Sequence, residues 1–172
     1  MNATGAMTPY ATFVNAYDLF GNETASIAAS TNASLSKWAL TVSEASKGAV
    51  SPQVLERLYR IQHDLIFKEN VTVAETLTGA SGTSVFSSFW LLLPFSRGSV
   101  HLTQAEAIDH PAIDPKFFLI DFDLSTQIGI SRLSQKLWYT APLDSLVLSS
   151  EAPNLPLNAT DAQWISYFNT SC

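Results

Sequence analysis

The residues able to do chemistry in this chain are few, and their spacing brings little together. His63-Asp64 falls inside an expected helix, where adjacent positions do not face each other, so it reads as a solvated pair and no catalytic dyad follows. Asp109, Asp114, Asp121 and Asp123 flank Pro and Phe in loop context, where capping and solvation account for such carboxylates. A glycosidase needs two carboxylates converging across a sugar ring, and nothing local provides that. Gly79-Ala-Ser-Gly82 is the nearest approach to a phosphate-cradling loop. The full G-x-G-x-x-G requires glycine at Leu77 and a helix after Gly82, whereas the following segment reads as strand. On the residues alone the chain has no catalytic pair, no cofactor fingerprint and no metal site.

Asparagine is the informative residue type. Asn2, Asn22, Asn32, Asn70, Asn158 and Asn169 each open an N-x-[ST] triplet without proline, and only Asn15 and Asn154 do not. That enrichment points to a glycosylated, secreted protein. The first residues carry neither a basic n-region nor an apolar h-region. The single cysteine, Cys172, is the last residue, so no internal disulfide forms. Both observations lead to the expectation of a piece of a longer protein. A net charge of -6 with scattered basic residues argues against a nucleic-acid partner. No apolar run approaches a membrane span of ~20 residues; the longest, Phe89 to Phe95, is broken by Pro94.

The elements that must position these residues suggest one α+β domain over residues 1–172, an antiparallel sheet packed on one side by several helices. Residues 1–21 read as extended and irregular. Residues 22–47 read as a helix capped by Asn22, with Trp38 in its core face and Gly48 as its stop. Ser51 and Pro52 open a second helix in which Val54, Leu58, Ile61 and Leu65 repeat at helical spacing. A strand over 71–78 and a turn at Gly79–Gly82 follow. Residues 85–93 read as a buried strand with Ser99–Thr103 as its neighbour, the turn between them relying on a positive φ at Gly98. A third helix, 123–140, is expected to be capped by Asp123 and to bury Ile130, Leu133, Leu137 and Trp138. A Pro-rich surface connection over 150–158 leads to a last helix, which opens on a Thr160/Gln163 capping box.

The stretch Trp90-Leu-Leu-Leu-Pro-Phe-Ser-Arg-Gly-Ser-Val-His101, followed by Ile113-Asp-Pro-Lys-Phe-Phe118 and Phe122-Asp123-Leu124, resembles the substrate-binding half of the glucose–methanol–choline oxidoreductases. The resemblance is nearest to fungal, secreted, FAD-dependent glucose dehydrogenases and glucose oxidase, and it extends over essentially the whole chain. It implies a flavoenzyme that oxidises a sugar, glucose at C1, when whole. The FAD-binding domain and the catalytic histidine are then expected outside this chain, with no FAD bound to the chain alone. Trp90 matches an aromatic that lines the sugar pocket. Ser88 matches a nearby position that is acidic in glucose oxidase, a departure that puts an inherited hydrogen bond there in doubt. His63, His101 and His110 fall in the wrong segments for catalysis, and His101 reads as structural. Two other readings stand beside this one: a non-catalytic secreted carbohydrate-binding module derived from that domain, and another alcohol oxidase of the same family.

Overall fold

The computed structural model describes residues 9–81, 84–106, 108–148 and 153–171. Helices and antiparallel strands are both present, as the α+β expectation requires. Strand β1, Tyr10–Val14, runs directly into the short helix α1, Ala16–Phe20, which corrects the irregular start over its described part. Asn15 Oδ1 accepts from the Asp18 N–H at 2.9 Å, and Asp18 Oδ2 accepts from the Asn15 N–H at 3.1 Å. This reciprocal cap satisfies two otherwise free donors. A 3-10 turn, Gly21–Glu23, then leads to α2, Thr24–Ala45. Asn22 lies within that turn, and no side chain caps α2. Gly48, at φ 78°, stops the helix as expected, its N–H donating to Ser43 O at 2.8 Å.

Helix α3, Pro52–Phe67, begins where the sequence places it, with Ser51 Oγ accepting from the Val54 N–H. The face it buries is a different one from the repeat that identifies it. Leu55, Tyr59, Gln62, His63 and Ile66 turn inward against α2, while Val54, Leu58, Ile61 and Leu65 stay exposed. His63 is therefore buried, not solvated. Its Nε2 lies 3.0 Å from Ala28 O of α2 and its Nδ1 3.3 Å from Asp64 Oδ1, so it ties two helices together.

β2, Ala74–Ser81, and β3, Ser84–Leu91, complete a three-stranded antiparallel sheet in the order β1-β2-β3. β2 starts later than expected, so Gly79 sits within the strand; Gly82 lies outside the described residues. A Cβ at 79 would crowd the Phe86 ring at 3.0 Å, so a side chain there would push that ring aside. β3 is an edge strand with a half-open face, which corrects the expectation of a buried strand. β4, Ser99–His101, pairs with β5, Ala112–Asp114, and not with β3. Pro94 has no N–H to extend a ladder, and Phe95 turns into the core, so the chain leaves the sheet there. Gly98 has no positive φ; it is needed because a Cβ would meet Asp114 O at 2.5 Å and Pro115 O at 2.6 Å.

α4, Asp121–Trp138, starts two residues before Asp123, so Asp123 is not its cap. Ile130 is fully buried and Leu133 partly so, whereas Leu137 faces solvent. α5, Asp161–Ser171, opens on the expected capping box: Gln163 Oε1 accepts from the Thr160 N–H at 2.9 Å. The main core gathers Leu35, Tyr59, Ile66, Phe95, Ile120 and Ile130, with Trp38 packed at 5.1 Å from Phe95 between ring centroids. A second cluster, Ile128, Trp164 and Phe168, joins α4 to α5.

Candidate functional site

The strand register decides which side chains share a surface. Val14, Ala74 and Thr76 are buried on one face of the sheet. Ser87 of β3 lies on that side too, where it accepts from Trp138 Nε1–H of α4 at 2.9 Å and meets Thr78 Oγ1 at 3.1 Å. Because successive side chains alternate across a strand, Phe86, Ser88 and Trp90 occupy the other face. Pairing then sets their neighbours. Glu75 stands opposite both Trp90 and Phe13, Leu77 opposite both Ser88 and Ala11, and Gly79 opposite Phe86.

This face is open and largely apolar, with Phe13, Phe86, Ser88 and Trp90 exposed and Glu75 and Leu77 half-buried. Strands lie ~4.8 Å apart and same-face neighbours along a strand ~7 Å apart, so an indole, a hydroxyl and a carboxylate share a patch of single-sugar size. An aromatic face offers apolar contact to the C–H groups of a pyranose, and the carboxylate and hydroxyl accept from its O–H groups. The two residues singled out in the sequence, Ser88 and Trp90, are thus brought together. Glu75, Leu77, Phe13 and Phe86 were not legible as part of this face. The signal lay in the strand register: pairing Ser81 with Ser84 sets Glu75 against Trp90, whereas a turn at 79–82 does not.

The exit of β3 is held by a buried polar hub. Asp123 is only 1% exposed, and its two carboxylate oxygens accept the Phe95 N–H at 2.8 Å and the Ser96 N–H at 2.7 Å. Ser96 Oγ accepts from the Ile120 N–H, tying the same turn to the start of α4. Tyr59 O–H donates to Phe95 O at 2.6 Å, and burial pushes its hydroxyl up to about 12, so it remains a donor. Gln62 Nε2 donates to Leu93 O, while Arg97 donates to Gln62 Oε1 and to Pro94 O. The Pro94–Arg97 turn is clamped between α3 and α4, and this fixes where β3 ends and where Trp90 sits. Burial pushes the Asp123 carboxyl above its ordinary range, opposed by the Ser96 hydroxyl, the two N–H donors and Arg97.

The other sequence candidates stand elsewhere. His101 lies on exposed β4, His110 follows an exposed bend, and His63 is held between helices, so none reaches the sheet face. Asp109, Asp114 and Asp121 do not converge with Asp123 in any shared hydrogen-bond cluster. Asn22, Asn32, Asn70, Asn158 and Asn169 are all exposed, while Asn2 and Cys172 lie outside the described residues. Among the described residues no group of His, Cys, Asp and Glu is placed to hold a metal ion. None of their helices is long and apolar enough to cross a membrane. Two concave features, of ≈280 and ≈590 Å³, are lined by residues such as Tyr167 and Gln163, or Phe20, Arg132 and Lys136; neither includes Trp90 or Ser88. Among the described residues the open sheet face is a wall without an opposing wall. The glycine at 79 does not sit in a flavin's phosphate loop. β2 leads into an antiparallel strand, with no strand-to-helix turn to receive phosphates, and Gly79 is occupied by the Phe86 ring.

No family profile matches the chain. It is 41% identical over 92% of its length to a glucose oxidase-like protein of Humicola fuscoatra. It is 31% identical over 96% of its length to glucose oxidase 1 of Penicillium expansum, and 30% over 95% to a glucose oxidase of Aspergillus carbonarius. In each case the chain spans 27% of the relative's length. Among solved structures, an FAD-dependent oxidoreductase from Chaetomium thermophilum matches at TM-score 0.69 and 19% identity, covering 92% of this chain and 26% of that one. A fungal aryl-alcohol oxidase matches at TM-score 0.62 and 22% identity, covering 83% and 24%. These two establish the likeness of fold, and the sequence relatives establish descent. Glucose oxidases and a glucose oxidase-like protein match the chain almost from end to end, so it is similar to one part of the glucose–methanol–choline oxidoreductases.

Proposed function

We propose that this chain is the substrate-binding portion of an FAD-dependent oxidoreductase that acts on the CH–OH group of a sugar, oxidising glucose at C1. The carrying observation is the open sheet face: Trp90, Ser88 and Glu75 lie side by side on one surface of a chain whose relatives are named glucose oxidases. In this reading the face is one wall of the sugar pocket. The flavin and the catalytic histidine face it from a domain outside residues 1–172. FAD supplies hydride acceptance when bound; the role of this chain is to shape the pocket and present the aromatic platform. The encoding gene is expected to carry a glycine fingerprint upstream and a histidine-bearing segment downstream. A gene that encodes neither would overturn the reading.

In the protein encoded by the whole gene, Trp90→Ala removes the ring contact, about 1–2 kcal/mol of apolar burial. It raises KM for glucose by roughly 5- to 30-fold, with kcat changed less. Trp90→Phe, which keeps a ring, loses only part of this. An unchanged KM in Trp90→Ala would remove Trp90 from the site. The exposure of Trp90 in the chain itself supports the second reading, a carbohydrate-binding module. Saturable glucose binding by the isolated chain without flavin selects that reading, and its absence selects the first.

The same proposal makes the chain part of a secreted glycoprotein, supported by five exposed acceptor asparagines. Protein expressed in a fungal host is expected to lose mass on treatment with peptide N-glycosidase, with several sites occupied. A mass equal to the bare chain before treatment would count against secretion through a glycosylating pathway.

A further inference from the structure

The larger concave feature, ≈590 Å³, includes none of the sheet-face residues. It lies between α4 on one side and α1, the 3-10 turn and the start of α2 on the other. Its volume is that of a small-molecule site. α4 contributes Ser125, Ile128, Arg132 and Lys136, which recur at helical spacing and form one strip about 16 Å long. Ile128 is buried, and Leu19, Phe20, Ile27 and Leu133 are half-buried, so the floor is apolar. Gly129 opens this floor. A glycine in a helix interior weakens the helix, yet a Cβ at 129 would meet nothing outside its own helix closer than the Leu19 side chain, at 3.7 Å. That is ordinary contact, so packing does not demand glycine there. Its effect is to keep the groove clear.

The charged groups around the floor carry both signs. Arg132 is already committed, donating to Ala159 O and pairing with Asp161 Oδ1, both at 2.8 Å. Asp18 uses Oδ2 on the Asn15 N–H, which leaves Oδ1 to accept. Among the described residues, the Glu23 carboxylate and the Lys136 ammonium have no hydrogen bond or ion pair. Unmatched charges of both signs therefore flank an apolar floor.

We infer that this groove binds a short apolar peptide in its zwitterionic form. The ammonium group of the peptide pairs with Glu23 and Asp18, its carboxylate with Lys136, and its side chains cover Phe20, Ile128 and Leu133. A tri- or tetrapeptide reaches about 10–14 Å when extended, which the strip on α4 accommodates. A purely cationic amphiphile would leave Lys136 unmatched, and an anionic one would set its charge against Glu23 and Asp18. Exposed ion pairs contribute little each and are screened by salt. Binding is accordingly weak, with Kd on the order of 0.1–1 mM, and weakens further as salt rises.

Titration calorimetry on the protein encoded by the whole gene, with the tripeptide leucyl-alanyl-phenylalanine as probe, is expected to show one site per chain in that range. Gly129→Leu is the decisive variant. Leucine is a better helix former than glycine, so the melting temperature holds or rises, while the added side chain fills the groove and abolishes binding. Glu23→Gln and Lys136→Gln, both at exposed positions, each weaken binding about two- to fivefold. The same tripeptide acetylated and amidated at its ends binds about tenfold more weakly, because both pairs are lost. No binding up to about 5 mM overturns the inference, and so does undiminished binding to Gly129→Leu. Equal affinity for the end-blocked tripeptide, or for the two charge variants, overturns recognition of a zwitterion. These readouts need neither sugar nor flavin, so they stand or fall apart from the proposed function.

Discussion

Asp123→Ala is expected to destabilise the fold by about 3–5 kcal/mol, the cost of leaving its buried hydrogen-bond partners unpaired, measured as a shift in denaturation midpoint at constant m-value. The substitution leaves the buried Phe95 N–H and the partly buried Ser96 N–H unpaired. Unsatisfied buried donors cost about 1–3 kcal/mol each, so two of them suffice for the effect. Asp123→Asn costs less, because its amide oxygen still accepts one of the two N–H groups. It also separates shape from charge. Burial raises the Asp123 carboxyl in the folded state, so its stabilising contribution is fully present below the unfolded carboxylate pKa. That contribution is lost as pH rises through the folded pKa. The wild-type advantage over Asp123→Asn is therefore largest in acid and declines upward from the ordinary carboxylate range. A difference that grows with pH would mean that the hydrogen bonds outweigh burial and hold the carboxyl low.

How much of this was legible in the sequence follows the range of the forces involved. Signals carried by adjacent residues were readable: the Ser51-Pro52 start of α3, the Thr160/Gln163 capping box and the Gly48 stop all stand in the structure. The Asn15/Asp18 cap has the same local form, and it was missed inside a stretch of irregular aromatic spacing. Features set by tertiary contact were not readable. Asp123 lies in the first turn of a helix, where capping is the ordinary expectation, yet its carboxylate is drawn to a turn 27 and 28 residues away. The two apolar stripes of α3 have nearly equal claims to the core, and only packing against α2 decides between them. At the site, Trp90 and Ser88 could be singled out from their letters. Glu75 joins them only through strand register, which a shift in the turn moves to the wrong partner.

Phe95→Ala is the second large effect, expected to cost about 3–5 kcal/mol, as for other fully buried Phe→Ala changes. Phe95 is 0% exposed and sits within 5.1 Å of Trp38, 5.2 Å of Tyr59 and 5.3 Å of Phe122 between ring centroids. These three rings come from α2, α3 and α4, so the cavity left by alanine cannot close unless three helices move together. Phe117, 77% exposed, is the matched control; Phe117→Ala stays within about 0.5 kcal/mol, as surface changes usually do. The consequence reaches the open face of the sheet, because Phe95 anchors the turn at which β3 leaves the sheet. Its N–H is held by Asp123 and its carbonyl by Tyr59, while the strand ahead of it carries Trp90. Losses from Phe95→Ala and Asp123→Ala should therefore fall short of adding in the double variant, since each already loosens the same turn. Full additivity would show that aromatic packing and the carboxylate clamp hold the end of β3 independently.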